Sequence, residues 1–425
     1  VTAASPPAPV RPLATYGVVT AAYWGFTLTD GALRMLVLLH FHLLGYTPFQ
    51  LAFLFVLYEA FGIVTNLVGG WVGARIGLKA TLYAGLALQV AALLALSLLD
   101  PGWPEAASIA WAVAAQGLAG IAKDLTKMSA KSAIRLVVPE ERNARLFRWV
   151  AVLTGSKNAL KGAGFFLGGV LLGTLGFAGG LQALAGGLAA VLVLAVAFLP
   201  ASLGRAKDKP KFRAVLSKTR EINLLSGARF FLFGARDVWF VVGVPVFLYA
   251  EMGWTFLQVG GFLAAWTIGY GFVQGIAPSL VARSADGRSA ETRGARLWAL
   301  LLALVPLAVV GAMEAGVRAD VAVVGGLGLF GVVFAVNSSV HSYLILAHSE
   351  GDEVALNVGF YYMSNSGGRL LGTLLSGLVY QGWGVQGCLV AASVLVLLSW
   401  AVAMFLPTSG FEGKTAPAGA LPDAE

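Results

Sequence analysis

Apolar runs of about 20 residues recur twelve times along this chain, each long enough to cross the hydrocarbon core of a bilayer. In that medium every backbone N–H and C=O must find a partner inside the protein, which leaves helices or a closed barrel. The runs are twice the length of a barrel strand, so the chain reads as an all-α membrane protein. Composition agrees: 58% of the 425 residues are hydrophobic and 12% are charged, where a soluble chain carries about 25% charged residues. The opening VTAASPPAPVRP is Pro-rich, has no apolar stretch of a cleavable signal, and is expected to be a polar tail. One cysteine, Cys388, excludes an intrachain disulfide and a multi-thiolate site for a soft metal or trivalent arsenic.

The spans fall at about 15–43, 48–72, 80–99, 106–136, 145–174, 178–199, 223–250, 255–281, 295–315, 319–347, 354–382 and 385–406. Alternate loops are basic: Arg75 and Lys79; Arg142, Arg145 and Arg148; the run from Arg205 to Arg220; and Arg283, Arg288 and Arg293. Loops on the other side carry almost no cations, Arg318 excepted. The net charge of +8 is therefore read as orientation, with the basic side and both termini cytoplasmic, and not as a nucleic-acid surface. The acidic loop from Glu350 to Glu353 breaks the pattern. The longest polar segment divides the chain into a tail at 1–14, a six-helix bundle at 15–200, a cytoplasmic linker at 201–222, a second six-helix bundle at 223–407 and a tail at 408–425. The halves repeat. LGYTPFQL at 44–51 aligns without a gap with MGWTFLQV at 252–259, and the same offset of 208 brings Ala74-Arg75 onto Ala282-Arg283. Six spans per half give both halves one orientation, the parallel repeat of a two-bundle transporter.

Charges at mid-span are costly in a bilayer and mark bundle interiors or water-filled paths. Span 1 carries Asp30 and Arg34, span 2 Glu59, span 4 Lys123, Asp124 and Lys127, span 5 Lys157 and Lys161, span 7 Arg236 and Asp237, and span 11 Arg369. Spans 3, 6, 9 and 12 have no ionisable residue in their cores. Lys123, Lys127, Lys131 and Arg135 recur every four residues and form one stripe; Arg135 and Lys131 suit snorkelling to the interface, whereas Lys123 and Lys127 suit contact with an entering anion. A guanidinium fork matches phosphate or arsenate oxygens, which makes Arg34, Arg236 and Arg369 candidate anion ligands, with Lys157 or Lys161 a candidate for the carboxylate of a phosphoglycerate-like solute and Asn337 a candidate hydrogen-bonder. The alternative for each cation is an internal ion pair: Arg34 with Asp30, Lys157 or Lys161 with Asp124, Arg369 with Glu59 or Asp237. The acids Asp30, Glu59, Asp124 and Asp237 either neutralise these cations or carry a coupled proton. No phosphate-cradling loop, metal cluster or soluble catalytic domain is present in the sequence, so neither an enzyme nor a cofactor is expected.

The segment GWVGARIGLK carries Gly70, Arg75, Gly77 and Lys79 of the loop 2–3 signature G-x-L-a-D-R-x-G-R-K, with Ala74 in place of its Asp. On this motif and the repeat, the chain resembles the major facilitator superfamily over essentially its whole length. The segments VVTAAYWGFTLTDGALRMLVLLHFHLLGYTPFQLAFLF, YEAFGIVTNLVGGWVGARIGLK and GIAKDLTKMSAKSAIRLVVP are more specific and resemble the organoarsenical efflux permeases of the ArsJ type. The first resemblance implies a central cavity lined by helices 1, 4, 7 and 10, with a phosphate clamp on helices 1 and 7 at Arg34 and Arg236, as in organophosphate exchangers. The second implies export of 1-arseno-3-phosphoglycerate, a functional link to the glyceraldehyde-3-phosphate dehydrogenase that makes it, arsenate resistance, and a bacterial inner membrane. The expected protein is a monomeric secondary transporter of a phosphorylated organic anion. A phosphate or organophosphate exchanger is the alternative; a cationic-drug antiporter suits an excess of buried cations poorly.

Overall fold

The computed structural model describes residues 12–133, 143–199, 219–281, 284, 288–349 and 354–408. The basic positions Arg135 and Arg142, the segment 201–218, the acidic loop at 350–353 and the tails at 1–11 and 409–425 lie outside the described residues, as do the side chains of Arg75, Lys131, Arg145 and Arg148.

The described residues are helical and contain no strand. In chain order the helices are α1 Pro12–Leu43, α2 Pro48–Phe53, α3 Val56–Ile76, α4 Leu78–Ser97, α5 Glu105–Ala133, α6 Asn143–Phe198, α7 Arg220–Phe240, α8 Gly243–Val246, α9 Phe256–Ile276, α10 Ser289–Glu314, α11 Ala319–Ala347 and α12 Val354–Ala403. Nine helical stretches among the described residues are long and apolar enough to cross a membrane; α1, which carries Asp30, Arg34, His40 and His42, is a tenth long helix.

Two of the stretches fold back on themselves and so supply two crossings each. In α6 the break is Gly176 (φ 69°) and in α12 it is Gly384 (φ 61°), conformations that a Cβ would strain. Before the break, Gly164 and Gly168 climb α1 past Gly31 and Met35; after it, Gly180 meets Leu36 and Val191 meets Gly25. The chain rises along α1 and descends beside it. In α12, Gly372 meets Gly234, and beyond Gly384 Leu395 returns to that same glycine. The two hinge glycines are 208 residues apart, the offset already seen in the sequence repeat. That offset also relates Gly45 (φ 85°) to Gly253 (φ 70°), and the capping box of Thr47 and Gln50 to that of Thr255 and Gln258. Each box satisfies helix-start N–H groups that would otherwise be orphaned.

The structure interrupts two spans that the hydropathy pattern draws as continuous. Span 2 divides into α2 and α3. Span 7 divides at Val241, continuing as α8 and a π-turn over Phe247–Glu251. There the Ser376 hydroxyl accepts from the N–H groups of Val242 and Gly243, both at 3.1 Å, replacing the helix bonds lost at the break. Hydropathy carries no trace of a break whose polar groups are satisfied by a side chain 133 residues away.

Loop cations have local work as well. Lys79 donates to Leu199 O at 3.1 Å, and Arg296 donates to Ala403, Met404 and Leu406 carbonyls at 2.7–3.1 Å. Both cover carbonyls at a helix C-terminus, one at the end of each half. Large exposed apolar side chains concentrate on the second half of α6, α10 and the end of α12, among them Val193, Leu194, Leu297, Leu304, Val394 and Leu397. These crossings have no charged core and face lipid. Close approach at the α7–α12 seam depends on Gly372: a Cβ there would stand 2.5 Å from Gly234 O and 2.9 Å from Asp237 Cβ. Gly372→Val is expected to cost about 1–3 kcal/mol through overpacking, read as a lower Tm of the purified protein.

Candidate functional site

The charged side chains meet at the centre of the bundle. Arg34 on α1 reaches Glu59 on α3 at 2.7 Å, and Arg369 on α12 reaches the same Oε1 at 2.6 Å. Arg369 also donates through Nε to Asp237 on α7 at 3.1 Å, and Asp237 pairs with its neighbour Arg236. One chain of charge, Arg34–Glu59–Arg369–Asp237–Arg236, therefore runs from the first half into the second. The Glu59 and Asp237 side chains are fully buried, where an unpaired carboxylate would be costly; each holds two guanidinium partners.

A second group lies beside it. Tyr58 donates to Asp30 Oδ1 at 2.6 Å, and Lys161 stands 3.7 Å from Asp30 Oδ2. The Lys123 ammonium sits 3.9 Å from the Tyr58 ring centroid, a cation–π distance. Lys127 binds Asp124 at 2.9 Å and Asn66 Oδ1 at 2.6 Å, and Thr65 donates to Asp124 at 2.5 Å. Sequence pairing by i, i+4 spacing favours Arg34 with Asp30; the structure instead gives Arg34 to Glu59 and Asp30 to Lys161. Backbone spacing brings residues onto one face, but the shorter path to a carboxylate runs between helices. Lys161 and Arg369 are again 208 residues apart, so the two halves place a cation at the same point of the fold, one against Asp30 and one against Asp237.

A cavity of about 380 Å³ adjoins these groups. Arg34, Lys157, Lys161, Arg236 and Arg369 line it, with Asn158, Phe165, Phe233, Phe240, Tyr270, Gln274 and Asn365. Lys123 and Lys127 lie outside the lining, held by Tyr58 and Asp124. Asn337 is fully buried and also outside it. The lining extends to Val281, Glu291 and Leu346, at the end of the bundle where α7 begins. At the other end the halves are packed together: a Cβ on Gly169 would stand 2.6 Å from Phe256 O, and one on Gly377 2.8 Å from Phe49 Cα. His42 and Tyr249 meet edge to face there, with centroids 5.7 Å apart.

One cation of the cavity lining escaped the sequence reading. Arg229 on α7 is 4% exposed and lines the cavity. Its signal was present: GAR at 227–229 recurs as GAR at 234–236, a seven-residue step that keeps both arginines on one helix face. Arg229, Phe233, Arg236 and Phe240 all line the cavity. Among the described residues no group of three or more His, Cys, Asp or Glu side chains is placed to hold a metal.

A two-half helical bundle closed at one end around a charged central cavity is the architecture of a solute transporter. The profile of the Major Facilitator Superfamily matches residues 15–339; the chain belongs to that superfamily and is a multi-pass membrane protein. Two solved structures of POT family transporters, one in complex with a thioalcohol-conjugated peptide and one with 5-aminolevulinic acid, superpose with a TM-score of 0.71 each. They are 13% and 14% identical, and the alignments cover 92% of this chain and 95% and 96% of theirs. At that identity the likeness is one of fold. No curated protein sequence matches.

Proposed function

We propose that this protein is a secondary transporter that exports a phosphorylated organic anion, 1-arseno-3-phosphoglycerate before others, and so confers arsenate resistance. The observation that carries the anionic substrate is the cavity wall: Arg34, Lys157, Lys161, Arg229, Arg236 and Arg369 line it, and among the described lining residues Glu291 is the only carboxylate. Such a wall attracts a polyanion and repels a cationic drug. The arseno-ester itself is supported by the likeness of the span 1, 2 and 4 sequences to organoarsenical permeases. With the basic loops cytoplasmic in a bacterial inner membrane, the cavity extends towards the compartment where a glyceraldehyde-3-phosphate dehydrogenase makes the ester. Binding in that state and closure of the two halves about the charge chain complete an alternating-access step. An interior-negative potential favours exit of net negative charge by about 2.3 kcal/mol per charge per 100 mV, so export needs no further energy source. The mid-span carboxylates Asp30, Glu59, Asp124 and Asp237, each engaged by a cation, serve charge pairing.

The test is arsenate tolerance and arsenic efflux in an arsenate-sensitive bacterium expressing the chain with and without the dehydrogenase. Tolerance is expected only when both are present. No tolerance in either strain, with the protein in the membrane, discards the arseno-ester and leaves other organophosphates as the cargo.

A further inference from the structure

Three of the cavity guanidiniums already have carboxylate partners: Arg34 and Arg369 on Glu59, Arg369 and Arg236 on Asp237. Arg229 does not. Its Nη1 donates to the carbonyl and hydroxyl of Ser338 at 3.0 and 2.9 Å, and its Nε is buried with no acceptor. The guanidinium lies 4.0 Å from the Phe233 ring centroid and 4.9 Å from that of Tyr361, which holds it in place without neutralising it. A buried guanidinium that lines a cavity and has no ion-pair partner among the described residues is costly unless an anion arrives to pair with it.

We infer that Arg229 binds the second anionic end of a two-ended substrate whose phosphoryl end sits among Arg34, Lys157, Lys161, Arg236 and Arg369. This rests on the organic-anion reading above and deepens it. The more highly charged phosphoryl group goes where cations are densest, and the remaining anionic end goes to the isolated arginine. The spacing fits. Arg229 and Arg236 both stand over the Phe233 ring, at 4.0 and 5.0 Å from its centroid, so the sum of these distances, 9.0 Å, bounds the separation of the two guanidiniums. A three-carbon phospho-acid carries its two charges about 5 Å apart, from bonds of about 1.5 Å, and one hydrogen bond of about 3 Å at each end extends its reach to about 11 Å, enough to engage both arginines. Asn365, on the same helix face as Arg369 and with a buried Oδ1 that has no donor, is placed to accept from a hydroxyl on the connecting carbons.

The experiment compares 3-phosphoglycerate with glycerol 3-phosphate, which keeps the phosphate and carries a hydroxymethyl group in place of the carboxylate. Binding of each is measured by calorimetry on the purified full-length protein, unsubstituted and as Arg229→Gln and Arg229→Lys. The unsubstituted protein is expected to prefer 3-phosphoglycerate by about tenfold or more, the worth of one charge-assisted contact. Arg229→Gln is expected to erase that preference, lowering 3-phosphoglycerate affinity by much more than glycerol 3-phosphate affinity, and a thermal melt like that of the unsubstituted protein shows that the variant is folded. Arg229→Lys keeps the charge without the fork and is expected to restore part of the preference. Absence of a preference in the unsubstituted protein, or an equal loss of both probes in Arg229→Gln and Arg229→Lys, overturns the assignment of Arg229 and leaves the organic-anion reading standing. Failure of the unsubstituted protein to bind either probe overturns that reading and the inference with it.

Discussion

Glu59→Leu is expected to be the most damaging single change in this protein. One carboxylate oxygen holds Arg34 of the first half at 2.7 Å and Arg369 of the second at 2.6 Å, and the side chain is fully buried. Removing it leaves two guanidiniums facing each other with Asp237 as the only remaining carboxylate of the chain. Breaking a buried pair by deleting one partner costs about 3–5 kcal/mol; both arginines border the cavity and can recover some hydration, which favours the lower end. The expected result is a large fall in Tm of the purified protein, together with loss of transport. Glu59→Gln keeps shape and one acceptor, and is expected to lose less stability while still losing the bridge between halves. An unchanged Tm in both variants would show that the bridge contributes nothing to the folded state.

Arg34→Ala and Arg236→Ala are expected to do the reverse, abolishing transport while leaving the protein folded. In the proposed clamp each variant loses a charge-assisted contact to the phosphoryl group, which is expected to weaken binding by about 10–100-fold and bring efflux to background at cellular concentrations. The fold survives because the charge chain is redundant: without Arg34, Glu59 keeps Arg369, and without Arg236, Asp237 keeps Arg369 at 3.1 Å. The check is efflux from cells matched for protein in the membrane, with a thermal melt of each variant. Retained transport in both would remove Arg34 and Arg236 from the phosphate clamp.

Much of the site was visible in the chain because intramembrane charge is rare enough to be read singly. Asp30, Arg34, Glu59, Lys161, Arg236, Asp237 and Arg369 all stand at the centre, as mid-span placement implies. The lysine stripe of α5 is another matter. Four-residue spacing puts Lys123 and Lys127 on one face, but spacing does not say what that face meets; it meets Tyr58 and Asn66 of α3, while Lys127 also pairs with Asp124 of its own helix. Arg229 was missed for the opposite reason. Flanked by Leu224, Leu225, Phe230 and Phe231, it reads as one charge near a helix start, and only the packing of α11 and α12 against α7 shows that no carboxylate among the described residues pairs with it.

The sequence by itself determined the long-helix architecture and the twofold repeat, because hydrocarbon thickness and backbone hydrogen bonding leave a 20-residue apolar run one conformation, and because two capping boxes at one offset mark equivalent helix starts. Tertiary structure alone decided which charge neutralises which, where span 7 breaks, and which end of the cavity is closed. Those outcomes depend on contacts between side chains of different helices, some more than a hundred residues apart, such as Arg369 and Asp237, and no local periodicity encodes such a contact.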